Sequence, residues 1–251
     1  MNNQVDYNRD FNNILRCLHN NNCGIKCLRE DVHFLTSLLP MFSSLKPSNR
    51  RPDAYAEKGD ALLLLEHFQF DNSKPNRNGS VQHQTSANTD RELDALLNSQ
   101  DFAVVNETVK KSGAYYVENF KVQFDSHAKK INDYKREIQE MTKRRYDKYL
   151  MGFVIEDASP LGSAYFDKCL KCVNLLWSKE FLDRFEKTNE LDFVIFAMTG
   201  DEANRILSFI SRNTISLHRK SQIEVSKIPR FLYENSYCAS GNIFVPNNKV
   251  D

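Results

Sequence analysis

Residues 59–71 read GDALLLLEHFQFD, and the four consecutive leucines Leu62 to Leu65 constrain the fold more than any other stretch. The run has no three- or four-residue spacing, so it is not the single apolar stripe of a surface helix. It is also too short to cross a membrane. It fits a strand buried on both faces, and such strands lie in sheets covered by helices on both sides. The rest of the chain supplies the covering. Residues 8–19 and 29–45 carry apolar residues at helical spacing, MGFVIED and LDFVIFAMT read as further buried strands, and 163–186 and 200–213 read as helices. The 200–213 helix would open at Thr199 or Gly200, with Asp201 and Glu202 in its first turn. The expected class is therefore α/β, a mixed sheet with helices on both faces. Residues 1–48 form an N-terminal helical segment packed on a core domain spanning 49–251, with a flexible polar loop at 72–90. A helix around 90–98 and a strand FAVVN would follow that loop, and the final 30 residues are irregular with an edge strand.

From Tyr115 to Tyr149 the residues Val117, Phe120, Phe124, His127, Ile131, Tyr134, Ile138, Met141 and Arg145 alternate spacings of three and four. The pattern predicts one long helix over about 115–148, roughly 50 Å at 1.5 Å per residue. It would serve either as a crossover helix or as an arm for a homodimer or a partner protein.

Bulk properties narrow the classes. At 41% hydrophobic and 27% charged residues, 251 residues can bury a large core, and a net charge of +1 gives no global attraction to nucleic acid. Any basic surface must be local. The chain has no apolar run of membrane-spanning length, and MNNQVDYNRDFNN lacks a signal-peptide core, so a cytoplasmic protein without membrane contact is expected. Six cysteines are too few for a disulfide scaffold. Cys169 and Cys172 with Cys23 and Cys27 supply four thiols that could hold zinc. However, Phe166, Cys169, Cys172, Val173 and Leu176 share a helical apolar face, where cysteine packs as a small hydrophobe.

Chemistry concentrates where the apolar strands stop. Open α/β sheets collect functional groups past the carboxyl ends of their strands, and two such ends are acidic here: Glu66, His67 and Asp71, then Glu156 and Asp157. A carboxylate following four leucines needs a cation, a donor or a metal. Asp53 and Asp60 precede Glu66, and a β-hairpin would bring either one opposite it. A pair of carboxylates suits Mg²⁺ or Mn²⁺, and Asp71 is a further candidate ligand. An ordinary structural role is the competing reading, with Glu66 paired to Arg50 or Arg51 and His67 a satisfied half-buried histidine. Lys46, Arg50 and Arg51 beside Asp53, with Lys74 and Arg77 in the polar loop, are candidates for phosphate contacts.

The order Pro52-Asp53, a short spacer, then an apolar strand carrying Glu66 resembles the PD-(D/E)xK nuclease superfamily, whose restriction-endonuclease-like core runs helix, three strands, helix, strand. The resemblance covers about residues 29–198. It implies a metal-dependent nuclease acting on nucleic acid, with Asp53 and Glu66 as ligands and a lysine two residues after the acid. Phe68 stands at that position, so the lysine role would pass to Lys121, Lys129 or Lys74, or to His67 as a base. The stretches EHFQFD and GFVIEDASPLG are also similar to an uncharacterised bacterial or phage family, which supplies no activity. The alternative function is a non-catalytic regulatory protein, phage- or defence-associated, that binds partners through the long helix and the polar loop. A third reading is a phosphotransferase using Glu66, Glu156 and Asp157 together; it requires strands 61–68 and 150–156 to be parallel neighbours. P-loop, Rossmann, hydrolase-elbow and zincin motifs are all missing from the sequence.

Overall fold

A computed structural model describes residues 4–19, 24–71, 75–76, 79–80, 102–158, 165–166, 172–173, 175–198, 206–222 and 236–246. In chain order these form α1 (Gln4–His19), β1 (Ile25–Lys26), α2 (Val32–Phe42), β2 (Lys46–Pro47), β3 (Ala54–Lys58), β4 (Ala61–Phe70), β5 (Pro75–Asn76), β6 (Gly79–Ser80) and β7 (Phe102–Ser112). There follow α3 (Gly113–Ala128), α4 (Ile131–Thr142), β8 (Lys148–Asp157), β9 (Tyr165–Phe166), β10 (Cys172–Val173), α5 (Lys179–Lys187), β11 (Phe193–Met198), β12 (Ile206–Ser211), α6 (Ile215–Lys220) and β13 (Ser236–Pro246).

The main sheet has seven strands in the order β1-β12-β11-β8-β4-β3-β2. Its centre, β4, β8 and β11, is parallel, as the continuous apolar runs require. The pairs β3–β4, β2–β3 and β11–β12 are antiparallel, so the sheet is mixed. Gly59 makes the tight β3–β4 turn possible: its φ of +58° suits a two-residue hairpin loop, which puts Lys58 opposite Ala61.

Alternation along β4 divides the core. Leu62, Leu64, Phe68 and Phe70 point into a layer with Phe120 and Phe124 of α3, Tyr134 and Ile138 of α4, and Phe181 and Phe185 of α5. Leu63 and Leu65 face the other way, against Ile14 of α1 and Leu38, Met41 and Phe42 of α2. Each fully buried leucine or phenylalanine contributes about 1.5–3 kcal/mol relative to an exposed one. These two layers fix which side of β4 each site residue faces.

The elements differ from expectation in several places. The predicted helix over 115–148 is two helices: α3 stops at Ala128, α4 starts at Ile131, and Lys143 ends α4 in the left-handed region at φ +54°. Both present their apolar faces to the same sheet, so the seam runs on across a break in the backbone. The predicted helix over 163–186 reduces to α5, whose start is capped by Ser178 accepting from the Phe181 N–H at 3.1 Å. Within that range β9 and β10 pair antiparallel, which places Cys172 on a strand; Cys169 lies outside the described residues, as does Cys23. Residues 206–211 of the predicted 200–213 helix are a strand, β12, and Thr199 to Glu202 are outside the description. The C-terminal segment pairs as β13 with β7 in a separate antiparallel ribbon. Of the 72–90 loop only the β5–β6 pair is described, and 90–98 lies outside. Among the described residues no helix is long and apolar enough to cross a membrane.

Candidate functional site

Glu66 sits three-fifths of the way along β4, 2% exposed, on the face covered by α3 and α4. The pairing of Ala54 with Leu65 carries Asp53, one residue earlier, to the position opposite Glu66 on the neighbouring strand. Asp53 is itself buried, and its Oδ2 accepts the His67 backbone N–H at 2.7 Å. Burial, then the charge of Glu66, push the Asp53 carboxyl up to about 8, with the His67 N–H opposing. Two acids from adjacent strands therefore share one low-dielectric space.

Helices α3 and α4 supply the partners of Glu66. Its Oε1 meets His127 Nδ1 at 2.8 Å and accepts the Tyr134 hydroxyl at 2.8 Å, while its buried Oε2 has no hydrogen-bond partner. Burial, reinforced by Glu66, drives the Tyr134 phenol upward, so it stays a donor. The His127 ring stacks on Phe68 with centroids 4.8 Å apart and planes 15° from parallel. Two cations complete the surroundings. Arg51 is held above its ordinary pKa: burial works against its charge, but Glu66, with Tyr134 and Asp53 behind it, outweighs that cost. Lys130, in the break between α3 and α4, is held below its ordinary value by burial and by Arg51, against the pull of Glu66. Among the described residues no arginine forms an ion pair with Glu66; Arg50 instead meets Glu140 at 3.6 Å on the surface.

The next residue faces the opposite layer. His67 Nε2 lies 3.2 Å from Glu156 Oε2, in the register that pairs Gln69 with Glu156, and Gln69 Nε2 donates to the same oxygen at 2.6 Å. Arg16 of α1 reaches both Glu156 oxygens at 2.9 and 3.0 Å. His67 Nδ1 is 3.6 Å from Asp10 Oδ1, beyond hydrogen-bond length. Burial alone lowers the His67 pKa, but Asp10 and Glu156 outweigh it and the net direction is upward. Cys17 of α1 completes a fully buried group: its sulfur, a His67 ring nitrogen and a Glu156 oxygen lie within 4.8 Å of one another.

The other expected site residues are placed as follows. Asp60 does not join Asp53 and Glu66: it sits in the turn at the far end of β4, 72% exposed, bridging Arg144 at 3.0 Å. Asp71 lies five residues beyond Glu66, roughly 17 Å along an extended chain, and its carbonyl accepts from Asn119 at 2.8 Å. Glu156 and Asp157 are not one acidic site, because strand neighbours face opposite layers; Asp157 accepts the Tyr116 hydroxyl at 2.9 Å. Lys121, close to two turns before His127 on α3, makes no hydrogen bond or ion pair with Glu66 among the described residues, and Lys129 is exposed. Lys46 meets Glu57 at 3.3 Å. Lys74 and Arg77 are outside the description.

Sequence reasoning did not single out Cys17, Asp10 and Arg16, or assign His127, Tyr134 and Lys130 to the site. One usable signal was present: a histidine and a tyrosine seven residues apart on an otherwise apolar seam, each needing a polar partner. For Cys17 there was none, since its partners are 50 and 139 residues away. Comparison of the chain with protein-family models, with curated proteins and with solved structures gives no match.

Proposed function

We propose that the chain is a metal-dependent, nuclease-like phosphodiesterase whose centre is Asp53 and Glu66. The observation that carries this reading is the juxtaposition of two buried carboxylates on adjacent strands, one of which keeps a buried oxygen without a partner. Such an arrangement needs a proton or a cation, and an all-oxygen donor pair fits Mg²⁺ or Mn²⁺. When bound, the ion would polarise a phosphodiester and acidify a water.

The chain's own residues have separable roles. Asp53 and Glu66 would hold the ion. With His127 Nδ1–H given to Glu66, Nε2 is the basic nitrogen and can take a proton. Tyr134 fixes the Glu66 rotamer, and Arg51 and Lys130 bring positive charge for phosphate oxygens. The helix, three strands, helix, strand order of the PD-(D/E)xK resemblance can be laid onto α2, β2, β3, β4, α3–α4 and β8 only by passing over β5, β6 and β7, which lie between β4 and α3. Phe68 occupies the lysine position, and the groups that replace a lysine's chemistry come from α3 and the α3–α4 break. The phosphotransferase reading has its parallel β4–β8 pair, but Glu156 faces the opposite layer from Glu66, so the three acids do not converge. The partner-binding reading draws on Phe68 and loses its long helical arm.

The test is cleavage of plasmid, single-stranded DNA and RNA with Mg²⁺ or Mn²⁺ by the wild type, Glu66→Gln and Asp53→Asn. Metal-dependent cutting that falls on the order of a hundredfold in either variant is expected. No cutting of any substrate, together with no heat of Mg²⁺ or Mn²⁺ binding, would turn the assignment to the partner-binding protein.

A further inference from the structure

Glu66 and His67 are consecutive, so alternation sends one to each face of β4, and the two faces offer different donors. On the Glu66 side the donors are oxygens. On the His67 side they are a thiol, an imidazole nitrogen and a carboxylate, contributed by α1, β4 and β8.

We infer that Cys17, His67 and Glu156 form a second metal site, selective for Zn²⁺ or a similar borderline divalent ion, that fastens α1 to the sheet. The three donor atoms lie within 4.8 Å of one another, and all three residues are buried. Sulfur with nitrogen selects against Mg²⁺ and Ca²⁺ and suits zinc, with three protein ligands leaving a fourth position for water.

Two further observations point to a cation here. His67 Nε2 and Glu156 Oε2 are 3.2 Å apart, and both are lone-pair donors to a metal. Either the Nε2–H of a neutral imidazole or an ion bridges them, and the adjacent sulfur gives an ion a third contact that the N–H would not use. The second observation is the outer layer. Asp10 flanks His67 Nδ1, whose buried nitrogen has no hydrogen-bond partner, at 3.6 Å. At that distance the negative charge of Asp10 favours the proton on Nδ1 and leaves the Nε2 lone pair toward the cluster. Closing the gap to hydrogen-bond length would give the carboxylate–histidine pair that typically accompanies a ligating histidine. Arg16 and Gln69 donate into Glu156 and orient it in the same way. Arg16 also places positive charge against the ligand set, but its side chain is 42% exposed and can withdraw to Oε1 alone.

The site is separable from the proposed Asp53–Glu66 centre. The test uses the full chain, dialysed and then loaded with Zn²⁺ or Co²⁺. One zinc per chain by elemental analysis is expected, and the cobalt form should show the near-ultraviolet charge-transfer band of a thiolate–cobalt bond. Asp10→Asn, at a partly exposed position, should weaken Zn²⁺ binding by roughly tenfold to a hundredfold while leaving the fold intact. Cys17→Ser should abolish the band and Cys27→Ser should keep it. Glu66→Gln should lose Mg²⁺-dependent cutting yet retain zinc, so either site can fail alone. A wild-type protein that binds no zinc or gives a cobalt spectrum without the thiolate band overturns the inference, whatever the variants do. So does a folded Cys17→Ser that binds zinc like the wild type.

Discussion

Tyr134 and His127 meet one oxygen of Glu66 from successive helices, and the hydroxyl also lies 3.3 Å from His127 Nδ1. Removing that hydroxyl while keeping the ring isolates its effect. Tyr134→Phe should cost about 1–3 kcal/mol of stability in urea titration, because a buried carboxylate loses a donor and nothing replaces it. If the proposed centre is correct, the same variant should lower metal-dependent cutting by loosening the Glu66 rotamer. An unchanged stability would show that Tyr134 is only packing. At this scale the sequence revealed what is costly by itself and hid what depends on neighbours. Glu66 was legible because a charge after four leucines demands an explanation. His127 and Tyr134 read as members of an apolar seam, since spacing reports which face a residue occupies and not what it touches there. Cys17 on α1 was invisible for the related reason that a thiol among apolar positions looks like packing until the register of β4 and β8 brings His67 and Glu156 beside it.

At the scale of elements, β8 and β11 show how tightly the parallel centre is packed. Gly152 pairs with Phe193, and a Cβ added at Gly152 would collide with the Phe193 ring, which is fully buried. Gly152→Ala should therefore cost about 1–3 kcal/mol through overpacking, read as a lower urea midpoint with an unchanged slope. Gly152→Ala combined with Phe193→Leu should recover part of that loss if the ring is the obstacle. The strands of this centre were legible because burial on both faces leaves nothing but apolar residues. The helices were less so. A helical repeat over 115–148 continues across the break at Lys129 and Lys130, because α3 and α4 bury the same kind of stripe against the same layer. The segment 206–211, ILSFIS, is short and apolar enough to serve either state, and antiparallel pairing with β11 decides for a strand.

For the whole molecule, Asp53 ties stability to pH and to metal. Its folded carboxyl is raised to about 8 from an ordinary 3.8, so the folded chain holds a proton that the unfolded chain releases. The resulting stabilisation is complete below pH 3.8, declines as pH rises and is gone above about 8, with a slope of at most about 1.4 kcal/mol per pH unit. His67, also raised, acts in the same direction, whereas His218, lowered mainly by burial, loses its contribution as pH falls through the ordinary histidine range. Comparison with Asp53→Asn separates these, since the variant cannot ionise at this position and keeps both histidines. Between pH 4 and pH 8 the wild type should lose stability relative to Asp53→Asn, measured by urea unfolding at a series of pH values. A divalent ion at Asp53 and Glu66 would compete with that proton, so Mg²⁺ should stabilise the wild type more at pH 8 than at pH 5. At a hundred times its dissociation constant the gain is about 2.7 kcal/mol, and it should vanish in Asp53→Asn. Parallel pH curves for the two proteins would mean that Asp53 is ionised throughout. A pH-dependent difference between them without any response to Mg²⁺ or Mn²⁺ would mean that Asp53 keeps its proton for structural reasons alone, because a site built for a cation must exchange one for the other.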